Sequence, residues 1–439
     1  MMPRAHKIRA TRGEVPEAAR APRSLLLVHA AELLTLRGPP GPRIHEAAGE
    51  LSLIEDGAVY AEGDRIVDVG TTSDVLSGHP RADVRIDATS KVVLPGFVDP
   101  HTHPVFAGSR AHEVEWKAQG LSYAEIAARG GGILHTVRET REASEESLAR
   151  EAAARLRSMR ASGTTTAEAK SGYGLRTPDE LKLLRAIDRA GRLADVDVVP
   201  TFLGAHAIPP EFAGRPDAYV DLVAGEMLEA VVAGRLASGC DVFVDRGYFS
   251  ADQARRILRK AAASDLRLKV HADELEETGG AALAAEVRAS SADHLNRTSS
   301  AGVEALAGSG VVAVLLPATC LSSHLPFADG RRFVAAGVPV ALGTDFSPNN
   351  WCDSMPFAIA LACHHNGLTP AEAIVGATIN AAHAIDRAGE VGALEPGKRA
   401  DILVLELPSW RHLGYRLSGN PVEAVIRGGR VLEARRPRA

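Results

Sequence analysis

The chain has 439 residues, of which 45% are hydrophobic, enough for one large core and a second, smaller domain. Its 50 basic and 55 acidic residues give a net charge of -5, so no basic stripe indicates nucleic acid and no polybasic segment indicates a membrane surface. Four cysteines without a CxxC pair exclude a disulfide framework and a zinc ribbon, and they predict a reducing cytoplasm.

The two ends of the chain differ from its middle. Residues 1 to 23 are polar, carry charges of both signs and lack the apolar stretch of a signal peptide, so we expect a loosely ordered extension. Short apolar runs broken by turns fill residues 24 to 91 and predict a small antiparallel β element. The same pattern returns at residues 388 to 439. We therefore expect one small β domain built from both ends.

Residues 92 to 387 alternate between strand-like and helix-like segments. The eight candidate strands are VVLPGFVDPHTH, TTTAEAK, DVVPTFLGAH, CDVFVDRGYF, LRLKVHADE, SADHLN, VVAVLLPAT and VPVALGTDF. One helical segment opens with Thr177, Pro178 and Glu180, which predicts a capping box. Eight strands alternating with helices predict an α/β protein with a (β/α)8 TIM-like barrel. No GxGxxG follows the first strand, which argues against a dinucleotide-binding sheet.

Ionisable side chains follow these strands at the ends where barrel enzymes place their chemistry. They are His101 and His103 after the first strand, His206 after the third, His271 and Glu274 after the fifth, His294 after the sixth and Asp345 after the eighth. A lone histidine in an apolar strand is usually a core residue, but a whole rim of such residues is not easily explained that way. Imidazole and carboxylate are ligands of zinc and iron. We assign as metal ligands His101, His103, His271 and Asp345.

The predicted chemistry is hydrolysis. A bound metal lowers the pKa of its water towards neutrality and so predicts a hydroxide nucleophile at physiological pH. Glu274 lies three residues beyond His271, where the chain can turn back over the site, and is the predicted general base and later acid. His294 would polarise the substrate oxygen or support the water. The alternative for Glu274 is a surface ion pair.

In chain order, the segments FVDPHTH, HADE, ADHL and GTD resemble the amidohydrolase superfamily of metal-dependent hydrolases. The resemblance implies a barrel with a small β-sandwich formed by both chain ends. Many members bind a second metal through a lysine after the fourth strand, where this chain has none, so one divalent ion is implied, zinc or iron. Lys170, after the second strand, is a remoter candidate for a bridging or substrate role. Asp99 is a candidate partner behind the histidines.

Further segments are similar to the imidazolonepropionase family: PHTHPVFAGSRAHE, SYAEIAARGGGILHTVRETREAS, AEAKSGYGL, TFLGAHAIP and ALGTDFSPN. That family opens the ring of 4-imidazolone-5-propanoate to N-formimino-L-glutamate in histidine degradation. The similarity implies the same activity, a small-molecule carboxylate substrate and a homodimer in the cytoplasm. It also implies four substrate-binding residues, Arg110, Tyr123, Tyr173 and His206. An arginine fork suits a carboxylate tail.

The sequence departs from the family after the eighth strand. The family pattern is Asp-Phe-Asn-Pro, whereas this chain reads DFSPNN from Asp345 onward. Serine is shorter than asparagine and has no amide, so a two-pronged contact to the ring would be lost or replaced by water. Substrate identity is therefore least determined at Ser347, Asn349 and Asn350. Another imidazolone or a cyclic amidine stays an alternative substrate.

Two other classes of function stay open at this point. A deaminase of the same superfamily would act on a purine or similar ring, although a neutral base needs no carboxylate fork such as Arg110. A catalytically silent barrel would be expected to lack a metal ligand, and none of the four assigned ligands is missing.

Overall fold

The structure is a computed structural model that describes residues 23–434, apart from the side chains of Tyr123 and Ala124. Residues 1–22 of the expected extension therefore lie outside the described residues. The strands are β1 (Ser24–Leu34), β2 (Leu53–Glu62), β3 (Arg65–Thr71), β4 (Val84–Asp87), β5 (Val92–Pro95), β6 (Phe97–Asp99), β7 (Thr164–Lys170), β8 (Asp197–Ala205), β9 (Gly239–Val244), β10 (Arg267–Ala272), β11 (Ser291–His294), β12 (Val312–Leu315), β13 (Val340–Leu342), β14 (Ile402–Leu405), β15 (Val422–Arg427) and β16 (Arg430–Ala434).

Helices connect these strands. They are α1 (Thr72–Gly78), α2 (Glu113–Ala118), α3 (Tyr123–Ala128), α4 (Gly132–Glu142), α5 (Glu145–Ala161), α6 (Thr177–Ala194), α7 (Pro216–Leu222), α8 (Leu228–Ala233), α9 (Ala251–Ala262), α10 (Gly280–Glu286), α11 (Ser300–Leu306), α12 (Pro317–Ser323), α13 (Gly330–Ala335), α14 (Met355–His365), α15 (Pro370–Gly376), α16 (Ile379–Ala384) and α17 (His412–Tyr415). Short 3₁₀ turns occupy His45–Gly49 and Pro210–Phe212, and a π turn occupies Val223–Met227. Within residues 23–434, no helix combines the length and the apolar character needed to cross a membrane.

Strands β6 to β13 form one parallel sheet in chain order, which confirms the predicted eight-stranded barrel. The loops that follow its first and last strands meet and nearly close the cylinder. The amide of Asp345 donates to the carbonyl of His101 at 3.1 Å, and the amide of His103 donates to the carbonyl of Phe346 at 2.8 Å. This closure brings the first and eighth strand ends, with their predicted ligands, into direct contact.

The predicted first strand is wrong in one respect, because it divides at Gly96. Strand β5 pairs with β1 and β14 in the outer sheet, whereas β6 pairs with β7 in the barrel. A Cβ atom at Gly96 would lie within van der Waals overlap of the Thr165 side chain, so only glycine permits this close crossing. The division lets one apolar segment serve two sheets.

The outer sheet has the order β16-β15-β14-β5-β1-β2-β3, with β4 also paired to β1. Both ends of the chain contribute strands, as predicted, and one apolar core joins Leu25, Val59, Ile402 and Ile426. The expected purely antiparallel pairing is wrong for β4 and β5, which both run parallel to β1. Helix α1 lies between β3 and β4 and carries the chain back, so that β4 runs in the same direction as β1 and β3.

Candidate active site

The four predicted metal ligands lie together at the carboxyl ends of the barrel strands. The Nε2 atoms of His101 and His103 are 3.2 Å apart. Each of them is 3.6 Å from Oδ1 of Asp345. The ring of His271 packs edge-on against that of His101, with 4.5 Å between the centroids. All four side chains are buried.

The donor atoms fit a divalent cation. Two bonds of 2.0–2.1 Å at a tetrahedral angle span about 3.3 Å, close to the separation of the two Nε2 atoms. Ligand atoms of His101, His103 and Asp345 lie within 4.8 Å of one another, and so do those of His101, His271 and His294. Burial lowers the pKa of His101 and His103 well below the usual value, which keeps both rings neutral. Neutral imidazole is the form that binds metals.

Two buried aspartates that the sequence analysis missed orient these rings. Asp293 Oδ2 lies 2.6 Å from Nδ1 of His101, and Asp241 Oδ2 lies 2.9 Å from Nδ1 of His271. With Nδ1 of His101 hydrogen-bonded to a carboxylate, Nε2 of that ring is available to the site. Asp241 lies on the Nδ1 side of His271 as an electrostatic partner. The available signal was a charged residue inside a predicted strand: Asp241 in CDVFVDRGYF and Asp293 in SADHLN.

Lys170 links these carboxylates beneath the ligands. Its ammonium lies 2.7 Å from Glu168 Oε2, 2.7 Å from Asp241 Oδ2 and 3.7 Å from Asp293 Oδ2, with no exposed surface. Burial alone would lower the pKa of Lys170, but the charges of Asp241 and Glu168 outweigh it and raise that pKa above the usual value. Lys170 is therefore a charged member of a buried network and does not line the cavity above the ligands.

A small cavity of about 40 Å³ lies above the ligands, and we call it the inner cavity. Its walls contain nine of the predicted site residues, namely His103, Tyr173, His206, His271, Glu274, His294, Asp345, Ser347 and Asn349. Glu274 Oε2 is 3.6 Å from Nε2 of His294. Burial, and then the charge of Asp345, raises the pKa of Glu274 well above its usual value. The carboxyl group of Glu274 thus has a high affinity for protons at the wall of the cavity.

His206 faces the inner cavity as a hydrogen-bond acceptor. Its Nδ1 lies 3.0 Å from the carbonyl oxygen of Gly172, which can only accept, so Nδ1 carries the hydrogen. Burial, followed by the nearby His271, lowers the pKa of His206 to about 3, so the ring is neutral and Nε2 carries a lone pair. The ring of Tyr173 lies 5.2 Å from that of His206, centroid to centroid. These two rings form one side of the cavity.

The loop that carries Tyr173 is held by Glu180. One carboxylate oxygen of Glu180 accepts from the amides of Gly174 and Leu175, both at 2.8 Å, and the other accepts from Gly172 at 3.0 Å. The predicted capping box is therefore wrong: the N-cap of α6 is Arg176, without a side-chain bond. The carboxylate instead satisfies the loop amides, which have no partners of their own in a helix or sheet.

We expect Glu180→Ala to destabilise the protein by about 3 kcal/mol, because three buried amides lose their acceptor. The displaced loop should also raise KM, since Tyr173 lines the cavity and the Gly172 carbonyl holds His206, which lines it too. Urea unfolding and steady-state kinetics measure the two effects. Glu180→Gln, which keeps one carbonyl oxygen, should give an intermediate loss. An unfolding midpoint unchanged by Glu180→Ala would contradict this role.

The remaining predicted residues lie away from the inner cavity. Arg110 lines a neighbouring cavity of about 560 Å³, which we call the outer cavity. The Nε and NH2 groups of Arg110 donate to the two carboxylate oxygens of the buried Glu113, at 2.9 and 2.8 Å. His101 belongs to the ligand cluster but has no exposed surface and does not line the inner cavity. The side chain of Tyr123 lies outside the described part of the structure.

Ser347 and Asn350 have different positions. Ser347 lines the inner cavity, and its hydroxyl accepts from the amide of Asn350 at 3.2 Å. The side-chain amide of Asn350 donates to the carbonyls of Thr344 at 2.8 Å and Asp345 at 3.2 Å. Asp345 has a φ of 48°, a left-handed conformation that other contacts must hold in place. Thr319 adds a 2.5 Å hydrogen bond to Oδ2 of Asp345.

The fold and the site define a barrel hydrolase that uses a divalent metal. The family model described as "Amidohydrolase family" matches residues 92–432. The imidazolonepropionase of Symbiobacterium thermophilum is 50% identical over 418 residues, covering 94% of this chain and 97% of that protein. The imidazolonepropionase of Geobacillus kaustophilus is 48% identical over 416 residues, covering 93% and 98%. The chain belongs to the amidohydrolase family and, within it, to the imidazolonepropionases.

Solved structures support the same fold at low sequence identity. A zinc-bound adenosine deaminase from Xanthomonas campestris superimposes with a TM-score of 0.68 and 18% identity, covering 93% of each chain. The zinc complex of an atrazine chlorohydrolase from Arthrobacter aurescens gives a TM-score of 0.69 and 18% identity, covering 94% of this chain and 97% of that one. Both place this chain in a fold that holds zinc in those proteins.

Proposed function

We propose that the chain hydrolyses 4-imidazolone-5-propanoate to N-formimino-L-glutamate, the ring-opening step of histidine degradation. The observation that carries the proposal is that His101, His103, His271 and Asp345 lie together beside a cavity that Glu274 lines. The relatives at 48–50% identity, which carry the name imidazolonepropionase, support the choice of ring. The reaction breaks a cyclic amide C–N bond: the carbonyl carbon gains the oxygen of water, and the ring nitrogen gains a proton.

The charges around the site support a bound cation. The buried ammonium groups of Lys170 and Lys269 lie among three buried carboxylates, those of Glu168, Asp241 and Asp293. The buried carboxylate of Asp345 lies beside His101 and His103. These carboxylates outnumber the ammonium groups, so a bound cation would reduce the imbalance of buried charge. When bound by the four proposed ligands, such an ion supplies an activated water near neutral pH. We propose zinc or iron.

The protein's own groups then move the protons and hold the ring. Glu274 takes a proton from the attacking water and delivers it to the ring nitrogen as the C–N bond breaks. His294, within 3.6 Å of Glu274, supports the developing charge on the carbonyl oxygen. The lone pair on Nε2 of His206 accepts a hydrogen bond from a ring N–H. Arg110 lies at the outer cavity, where the propionate tail would extend.

We expect removal of the metal with a chelator to lower ring opening by about 100-fold or more, since the activated water depends on the ion. The substrate is generated in situ from urocanate and followed by its absorbance, with N-formimino-L-glutamate confirmed by mass. Reloading with Zn²⁺ or Fe²⁺ in parallel should restore the rate and identify the more active metal. Full turnover by protein shown by elemental analysis to be metal-free would refute the proposal.

We also propose a homodimer in the cytoplasm. The four cysteines, at positions 240, 320, 352 and 363, form no disulfide, as suits a reducing compartment. Light scattering coupled to size exclusion would test the dimer, and a monomer at micromolar concentration would contradict it.

A further inference from the structure

Asn349 lies at the boundary between the inner cavity and the outer cavity. Among the described residues, Asn349 alone lines both. The inner cavity, at about 40 Å³, is far smaller than the roughly 300–1,000 Å³ of typical ligand pockets, whereas the outer cavity holds about 560 Å³. A ring moving inward must therefore displace part of the wall, and Asn349 stands at that wall.

Three side chains hold Asn349 in this position. Its amide oxygen accepts from Nζ of Lys117 at 2.8 Å and from the guanidinium of Arg110 at 3.2 Å. Its amide nitrogen donates to the hydroxyl of Ser323 at 2.9 Å. A neutral oxygen thus occupies a place between two cations.

The charges around Asn349 favour an anion at that place. Arg110 is already balanced by the buried carboxylate of Glu113, which also accepts from the amide of Gly132 at 2.8 Å. Lys117 adds a second positive charge, so Arg110, Glu113 and Lys117 together carry a net charge of +1. A carboxylate between charged donors forms hydrogen bonds about twice as strong as those of a neutral amide.

We propose that Asn349 is a gate that the carboxylate of the substrate opens, and that Lys117 together with Arg110 selects anionic rings. The substrate carboxylate accepts hydrogen bonds from Lys117 and Arg110 in place of the amide oxygen of Asn349. The Asn349 side chain then turns away, and the ring passes into the inner cavity. A ligand with a neutral tail offers only another uncharged oxygen. Replacing the amide oxygen of Asn349 with that oxygen would not strengthen the hydrogen bonds to Lys117 and Arg110. This inference rests on the proposed function, because it takes the substrate to be a carboxylate.

Two stable probes test the gate, imidazole-4-propanoate and its neutral amide, with binding measured by calorimetry on metal-loaded protein. We expect the natural chain to prefer the acid by about 10-fold or more, equivalent to 1.4 kcal/mol. Asn349→Ala should strengthen binding of the neutral amide by about 5-fold without weakening the acid, because the passage is open. Lys117→Met should weaken the acid by about 10-fold and leave the amide nearly unchanged. Lys260→Met, an exposed lysine of α9, is the matched control.

Equal weakening of both probes in Asn349→Ala would overturn the gate, since it would indicate a direct ligand contact. Unchanged affinity for the acid in Lys117→Met would overturn the charge selection. Because calorimetry does not depend on turnover, the two proposals fail separately. A natural chain that prefers the acid but leaves imidazolone propionate unopened would contradict the proposed function and leave the gate supported.

Discussion

Replacing Glu274 with glutamine is expected to lower kcat by about 10²–10⁴-fold, the usual contribution of a positioned acid and base. Glutamine fills nearly the same volume at the wall of the inner cavity but cannot take up the proton of the attacking water. KM and metal content should change little, because Glu274 is not among the proposed ligands. Steady-state kinetics with elemental analysis of the same preparation measure both quantities.

The same loop offers a matched control for this substitution. Glu277 is exposed and lies three residues beyond Glu274, so Glu277→Gln should retain the activity of the natural chain. A kcat for Glu274→Gln within a few fold of that control would eliminate the proton-transfer role. The group that moves the proton would then have to be sought elsewhere in the cavity, with His294 the nearest candidate at 3.6 Å.

Replacing Lys170 with methionine is expected to destabilise the metal-free protein by about 3–5 kcal/mol, because it leaves buried carboxylates without their cation. Affinity for the metal should also fall by about 10- to 100-fold, since Asp241 and Asp293 would no longer be held against His271 and His101. Urea unfolding of chelated protein measures the first effect. Competition with a chelator of known affinity measures the second, independently of turnover.

A double variant tests whether the network acts as a unit. Asp241→Asn removes one of the unpaired charges, so Lys170→Met combined with Asp241→Asn should lose less stability than the two single losses added together. Lys260→Met again serves as the surface control, with stability and metal affinity unchanged. Strict additivity of Lys170→Met and Asp241→Asn would show that the ammonium and the carboxylate do not depend on each other.

Much of the candidate active site could be predicted because the signals are local. His101 and His103 alternate in a short segment that ends a strand, and the barrel rule places every such end on one rim. Glu180 shows the limit of local patterns. Its spacing from Thr177 matches a capping box, yet the carboxylate binds the amides of Gly172, Gly174 and Leu175. Whether Glu180 binds the amide at the start of the helix or the amides of the preceding loop depends on how that loop folds back.

The gap between prediction and structure is largest beneath the ligands. Asp293 stands opposite His271 in the register of β10 and β11, and Lys170 reaches across to Asp241 from another strand. The sequence separations are 22 residues for the first pair and 71 for the hydrogen bond between Lys170 and Asp241. No spacing rule covers pairs of that kind, because they arise only when the sheet closes and inward side chains from different strands meet.

By itself, the sequence determined the barrel, the β-rich ends, the family and the set of candidate ligands, because strand alternation and polar strand ends are properties of short segments. Only the tertiary structure decided which carboxylate faces which histidine, the division of the first predicted strand at Gly96, and the position of Asn349 between two cavities. The physical reason is that burial and charge balance depend on neighbours distant in the chain, and these contacts exist only after the barrel has closed.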